Sequence, residues 1–413
     1  MPRVILLLPT ATYRAPDFVR AANALGVEVV VASEEAQVLA DQMGDRALVV
    51  PFDDPERAAE AIVEVATRIP VDAVIAVDEA GVLPEALAAT RLGLSHNPPD
   101  AVAATRNKIL LRERLAAAGV PQPRFAVVNP GDDVAAVAAS VGFPCVVKPV
   151  SLSASRGVIR ADTPEAVRAA ADRVREILAR ADVGAEARPD PDGPLLVEQY
   201  VPGMEVAVEG LVTDGHLDVL AVFDKPEPME GPYFAETILV TPSRLTPDAL
   251  ESLRRITADA VAAVGLVEGP VHAEARVDGE AVWFLELAAR SIGGLCSRVL
   301  RFGTGATLEE VILRQALRLP VSDLRLSEGS AGVAMLSPPA AGVLKAVRGT
   351  DDALGVPEVE EIDVLARPGT EVAPLPESAR YLGFVFARGD DPGAVEAALK
   401  DAVDRIDIVV STP

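Results

Sequence analysis

The stretch Val271-His-Ala-Glu-Ala-Arg-Val-Asp-Gly-Glu-Ala-Val-Trp-Phe-Leu-Glu-Leu-Ala-Ala-Arg-Ser-Ile-Gly-Gly294 decides how this chain is read. It reads as two strands joined near Asp278-Gly279, with Glu274 and Glu286 twelve residues apart, Arg290 four residues further on, and the pair Gly293-Gly294 behind it. Carboxylate oxygens suit a hard cation such as Mg²⁺. A guanidinium can hold the charge that builds on a phosphoryl group in transfer. The combination is what a magnesium-bound triphosphate needs when its terminal phosphoryl is to move. The plainer alternative is a hairpin with two solvated glutamates and a surface arginine.

Register makes the expectation geometric. Side chains alternate faces along a strand. A two-residue turn at Asp278-Gly279 pairs Val277 with Glu280 and Glu274 with Trp283, and sends Glu286 to the opposite face. If both glutamates serve one metal, either the loop holds an odd number of residues or a strand carries a bulge.

Further motifs lie upstream. Phe143-Pro-Cys-Val-Val-Lys148-Pro149 reads as a buried strand that delivers one ammonium at its end. The following Val150–Val158 is small and hydroxyl-rich, with Ser153, Ser155, Arg156 and Gly157, and can offer donors to phosphate oxygens. It lacks the G-x-x-x-x-G-K-[ST] pattern of a Walker phosphate loop. Leu195–Val201 is another apolar strand, and its bend exposes backbone groups able to read an adenine edge. Beyond it, alternation puts Glu205, Ala207 and Glu209 on one face, with Glu205 suited to accept from ribose hydroxyls.

In this order the pieces resemble the ATP-grasp superfamily of carboxylate–amine ligases, over about Asn107 to Arg290. The resemblance implies that Lys108, followed by Arg112, is the first phosphate lysine and Lys148 the second. It implies that Ser153–Gly157 closes over the phosphates, that Glu198, Gln199, Tyr200 and Val201 form the adenine hinge, and that Glu205 is the ribose-binding acid. Glu274 and Glu286 match the metal glutamates, and Arg290 ends the E-x-N-x-R signature. One position departs: Ala288 stands where the signature has asparagine, which leaves open whether one or two metal ions bind. The cofactors so implied are ATP and Mg²⁺, with Mn²⁺ as an alternative. The implied reaction phosphorylates a carboxylate and lets an amine attack the acyl phosphate, with Arg290, Gly293 and Gly294 at the acyl group. The string from Asp224 to Arg244 and the variant Glu286-Leu-Ala-Ala-Arg290 look most like amino-acid ligases.

The expected fold is mixed α/β (α+β): an ATP-grasp fold with an N-terminal parallel βαβ pre-domain and a β-rich C-terminal region. Residues 1–100 carry the strand–helix rhythm of a parallel sheet. The first strand ends in Pro9–Arg14 without a G-x-G-x-x-G, against a nicotinamide site. Thr10 and Thr12 there could line a substrate cleft. One helix over Asp100–Ala118 is expected to open the nucleotide domain, drawn as 101–320. Residues 321–413 form the third part, with strands at Gly332–Leu336, Tyr381–Ala387 and Asp407–Val410 around a helix over Pro392–Ile406. Two proline-bearing spans read as loops: 181–194, and 223–242, which is long enough to act as a lid near one substrate.

Composition narrows the classes. The 413 residues carry a formal net charge of −24, against a nucleic-acid or anionic-membrane partner, since both need a basic footprint. The partners expected are small-molecule carboxylates and amines, with a homo-oligomer compatible. Cys145 and Cys296 read as reduced core thiols of a cytoplasmic protein. Only three histidines exist, His96, His216 and His272, with no zinc spacing; His272 shares the face of Glu274 and reads as a core or supporting group. A Ser-His-Asp hydrolase lacks its G-x-S-x-G, and a biotin carrier lacks its Met-Lys-Met. A purine-pathway or carboxylase-type enzyme and a non-catalytic ATP-binding regulator remain as alternatives.

Overall fold

The protein is described from a computed structural model covering residues 1–37, 40–180, 190–321, 323–378 and 380–411. Most of the loop expected at 181–194 therefore lies outside the described residues. The first part alternates β1 (Arg3–Leu7), α1 (Ala15–Ala24), β2 (Glu28–Ser33), α2 (Ala40–Met43), β3 (Ala47–Val49), α3 (Pro55–Arg68), β4 (Ala73–Ala76) and α4 (Val82–Leu92). The strands form a parallel sheet in the order β3-β2-β1-β4. β1 and β4 are buried along nearly their whole length because helices or the neighbouring domain cover both faces.

The single helix expected over 100–118 is two: α5 (Pro99–Thr105) and α6 (Lys108–Ala117). The break is chemical. The Asn107 side chain accepts from the N–H groups of Ile109 and Leu110, so it caps a new helix instead of continuing the old one. Lys108 consequently becomes the first residue of α6, and its own N–H donates to Val150 O.

Next come β5 (Phe125–Val128), α7 (Val134–Val141), β6 (Cys145–Pro149), β7 (Ile159–Ala161), α8 (Pro164–Leu178) and β8 (Leu195–Gln199). They make a small antiparallel sheet, β5-β8-β6-β7, with its own aliphatic core against α7 and α8. The chain then builds β9 (Met204–Thr213), β10 (His216–Asp224), β11 (Ile238–Thr241), α9 (Pro247–Val264), β12 (Gly269–Asp278), β13 (Ala281–Ala288) and α10 (Leu308–Ala316). The last part holds β14 (Ser330–Leu336), β15 (Gly342–Arg348), α11 (Thr350–Leu354), β16 (Val359–Val364), β17 (Glu371–Val372), β18 (Gly383–Gly389), α12 (Pro392–Asp404) and β19 (Asp407–Ser411).

An eight-stranded antiparallel sheet, β13-β12-β9-β10-β11-β14-β18-β16, runs across the boundary drawn at 320, because β11 pairs with β14. One core cluster joins Phe18 of α1, Phe223 of β10, Leu308 and Val311 of α10, and Phe384 and Phe386 of β18. The three parts are thus packed on one another through shared apolar surface, while the small sheet keeps a core of its own. No helix among the described residues is long and apolar enough to cross a membrane.

Candidate functional site

A cleft of about 1350 Å³ lies where the carboxyl ends of the parallel strands face the small sheet and the β12–β13 hairpin. Most of the residues singled out from the sequence line it: Lys108, Lys148, Ser153, Ser155, Arg156, Glu198, Gln199, Tyr200, Val201, Glu205, Glu274, Glu286, Arg290, Gly293 and Gly294, with Gly157 adjoining at the end of its loop. Thr10 and Thr12 line it too.

The hairpin resolves the question of register. Its turn is Gly279-Glu280, one residue later than expected, since Asp278 pairs with Ala281 and Gly279 takes φ +61°. Glycine adopts that conformation without steric cost, which sets the turn there. The turn still holds two residues, so an even ladder would leave Glu286 on the wrong face. The ladder instead passes from Ala275–Phe284 to Glu274–Glu286, leaving Leu285 as the extra residue of a bulge. The two carboxylates are therefore directly opposed. Among the described residues no group of three or more His, Cys, Asp or Glu side chains is arranged to hold a metal by itself. A pair of carboxylates beside phosphate oxygens is the donor set Mg²⁺ accepts, because it keeps few protein ligands and takes the rest from phosphate and water.

One lysine stands beside this pair and a second lines the same cleft. Lys108 Nζ donates to Leu152 O at 2.7 Å and stands 3.4 Å from Glu286 Oε1. Lys148, at the end of β6, places Nζ 2.5 Å from Glu198 Oε2. Between them the loop Ser151–Val158 folds through left-handed conformations at Leu152, Ala154, Ser155 and Gly157. Successive turns of this kind aim backbone N–H groups into a concavity suited to an anion. Leu152 anchors the loop in the core of the small domain, and Gly157 N donates to Pro376 O at 3.2 Å. Its other hydrogen bonds include the Lys108 contact to Leu152 O and the turns Arg156 N to Ser153 O and Val158 N to Ser155 O, set against an ordering entropy of about 1–2 kcal/mol per residue. Hydrogen exchange across Ser151–Val158 should therefore slow when Mg-ATP saturates the protein. Unchanged exchange would make the loop a static turn and end its assignment as a phosphate lid.

The expected nucleotide hinge is built differently from its sequence image. Glu198 is buried with both oxygens engaged, Oε1 by Arg112 Nε at 2.6 Å and Oε2 by Lys148. Burial alone would raise its pKa, but the two cations outweigh it and hold the carboxyl at about 2. Because the folded value lies below the usual 4.5, its contribution is present above pH 4.5 and lost as pH falls through about 2. At 1.36 kcal/mol per unit this is about 3 kcal/mol. Glu198→Gln should flatten the fall of unfolding free energy between pH 4.5 and 2, as read by denaturant titration; an unaltered slope would refute the pairing. Beside it, Tyr200 lies between Arg160 and Arg276, whose guanidinium carbons are 4.2 and 5.0 Å from the ring centre. With Val146, Val201, Phe234 and Leu285, this forms an apolar wall fit for a planar base.

Several pairings at or just behind the cleft have no local sequence signature. Lys225, buried at the start of the 223–242 span, donates to Glu205 Oε1 at 2.8 Å and Glu274 Oε1 at 2.9 Å, and pairs with Glu236. Burial would depress its pKa, but the three carboxylates raise it well above the usual value. Glu205 Oε2 takes Arg276 Nε at 3.1 Å. His272, already suspected of a supporting role, sets Nδ1 2.5 Å from Glu209 Oε1 and Nε2 3.6 Å from Glu274 Oε1. Burial opposes its charge, yet Glu209 and Glu274 raise it to about 9. Glu209 Oε2 accepts from Ile292 N at 2.9 Å, so the same carboxylate steadies the turn carrying Gly293 and Gly294. Arg290 donates Nε to Glu79 Oε2 at 2.9 Å, a residue of the first domain. Buried Arg14 reaches Ser291 Oγ at 2.8 Å from the end of the first strand's loop. Apart from Lys225–Glu236 and His272–Glu274, these pairings join residues at least 20 positions apart.

Comparison with known proteins agrees with this geometry. Residues 141–299 match an ATP-grasp domain, 19–96 an ATP-grasp N-terminal domain and 334–411 an L-amino acid ligase C-terminal domain 2. The chain belongs to the ATP-grasp superfamily. It is 29% identical over 251 residues to an alanine–anticapsin ligase of Bacillus subtilis, covering 58% of this chain and 52% of that protein. It is 29% identical over 388 residues to the formate-dependent phosphoribosylglycinamide formyltransferase of Methylococcus capsulatus, covering 92% and 88%. The chain spans about half to two thirds of the length of several curated relatives it matches. In structure it resembles an L-amino acid ligase from Bacillus licheniformis, with TM-score 0.81 and 23% identity over 100% of this chain and 99% of that one.

Proposed function

We propose that this protein is an ATP-dependent carboxylate–amine ligase that joins amino-acid substrates through an acyl phosphate and releases ADP. The observation that carries the reading is the opposition of Glu274 and Glu286 across a bulged hairpin, in a cleft that Lys108, Lys148 and the Arg290–Gly294 turn also line. A carboxylate oxygen of the acid attacks the γ-phosphorus and the bond to the β-bridging oxygen breaks, leaving ADP. The amine nitrogen then attacks the acyl carbon, the carbon–oxygen bond to phosphate breaks, and the nitrogen loses a proton. Lys108 and Lys148 hold the phosphates. Glu274 and Glu286 hold Mg²⁺, which supplies charge neutralisation; Mn²⁺ can substitute on this donor chemistry. Arg290 and the N–H groups of Gly293 and Gly294 hold the acyl phosphate and the tetrahedral oxyanion. Catalysis on this scheme is positioning and charge stabilisation.

Amino acids are favoured as substrates because residues 334–411 match the L-amino acid ligase C-terminal domain and their strands extend the sheet that floors the cleft. The near full-length alignment to the formyltransferase supports a second reading, a purine-type ligase using formate or bicarbonate. A panel measuring ADP release separates the readings. Release that requires particular amino-acid pairs supports the proposal. Release driven by formate or bicarbonate with an amine-bearing ribonucleotide supports the second reading. Nucleotide binding with no release under any pair defeats both.

A further inference from the structure

A bulge interrupts the ladder of its strand and twists it locally. The one at Leu285 lies on β13, the edge strand of the eight-stranded sheet; among the described residues no further strand pairs with its outer side, where Phe284 N donates to Pro121 O at 2.9 Å. Along a regular antiparallel strand, successive carbonyls point to opposite sides. At this bulge both Phe284 O and Leu285 O are reached by one guanidinium. Arg112 donates through one terminal nitrogen to Leu285 O at 2.7 Å and through the other to Phe284 O at 3.4 Å. Its Nε is the donor to Glu198, whose second oxygen holds Lys148. Arg112 is 1% exposed and stands on α6 one turn after Lys108, the residue whose ammonium faces Glu286.

We propose that Arg112 is a positioning residue for Glu286. Its guanidinium fastens the bulge that turns Glu286 toward Glu274, and its pair with Glu198 ties that setting to the setting of Lys148. The inference rests on the reading of Glu286 as a metal carboxylate. The residue type follows from the task. A guanidinium is a planar fork with five donors, able to serve one carboxylate and two carbonyls in a single fixed geometry. A lysine ammonium retains the charge and can still meet Glu198, but a single nitrogen cannot span all three acceptors.

Arg112→Lys is therefore the informative variant, and Arg112→Met removes the guanidinium while Glu198 keeps Lys148 as its cation. Two readouts are independent of turnover: Mn²⁺ binding to the complex with a non-hydrolysable ATP analogue, followed by electron paramagnetic resonance, and amide exchange over residues 284–287 without metal. In both variants Mn²⁺ affinity should fall about 10–100-fold, the range for removing a group that orients a metal ligand. Exchange at 284–287 should accelerate, while metal-free nucleotide binding in Arg112→Lys stays within a few-fold. Glu286→Gln is the reference. If Glu286→Gln weakens Mn²⁺ binding and the Arg112 variants leave binding and exchange unchanged, the positioning proposal fails alone. If Glu286→Gln leaves Mn²⁺ binding unchanged, the metal reading of Glu286 fails, and the proposal with it.

Discussion

Glu286→Gln is expected to lower ADP formation at least about 100-fold while leaving the fold intact, the scale for removing one charge that meets transition-state charge in a cleft. The substitution changes almost nothing in volume and exchanges a carboxylate oxygen for an amide. Glu286 has a side chain 35% exposed on the cleft, so no apolar core depends on it. Its recorded cation, Lys108, has Leu152 O as a second and closer partner, which limits the structural cost. Steady-state ADP release, with thermal unfolding as the control for folding, checks the result. Activity surviving within a few-fold of the parent would remove Glu286 from the metal site.

Arg290→Ala and Lys148→Ala should fail in different ways. Arg290 sits on the turn side of the cleft, held by Glu79, and its charge is retained at every working pH: burial disfavours it, but Glu79, Asp78 and Glu286 raise its pKa further. A guanidinium that meets charge developing on the acyl phosphate acts chiefly in the transition state. Its loss should lower kcat about 100-fold and leave the KM for ATP within a few-fold. Lys148 stands at the end of β6 beside the Ser151–Val158 loop, and on the proposed reading it meets charge that ATP already carries in the ground state. Its loss should show mainly as weaker ATP binding. Glu198 keeps Arg112 as a partner in that variant, so the buried carboxylate is not left alone. Equal loss of ATP affinity in the two variants would erase the distinction between holding the nucleotide and stabilising the reacting group.

Much of this site is legible because its members are local signals. Lys148 ends an apolar run, the loop behind it is small and hydroxyl-rich, and Glu274, Glu286 and Arg290 fall within seventeen residues. The strand–helix rhythm of residues 1–100 is visible for the same reason: period and turn chemistry are properties of neighbours. The break at Asn107 was open to view in principle, since an asparagine before a lysine-led helical run is a cap, but helical periodicity on both sides masked it. Lys225 gave no such signal. Its meaning comes from three carboxylates on β9, on β12 and in the segment before β11, and alternation along any one strand says nothing about which strands become neighbours.

What the amino-acid sequence determined by itself was the set of chemical groups and their order: two lysines, two carboxylates, an arginine and a glycine turn, on strands whose apolar patterns demand burial. The tertiary structure decided which faces they present and what holds them. The residue count of the Gly279-Glu280 turn would have separated Glu274 from Glu286, and the bulge at Leu285 reunited them. Arg112 from α6, Glu198 from β8 and Lys225 from the end of β10 then set the pairings around them. A carboxylate's charge is local and can be read from its residue type. Its direction and its partners depend on hydrogen-bond ladders and ion pairs between distant segments, and these exist only once the sheets have formed.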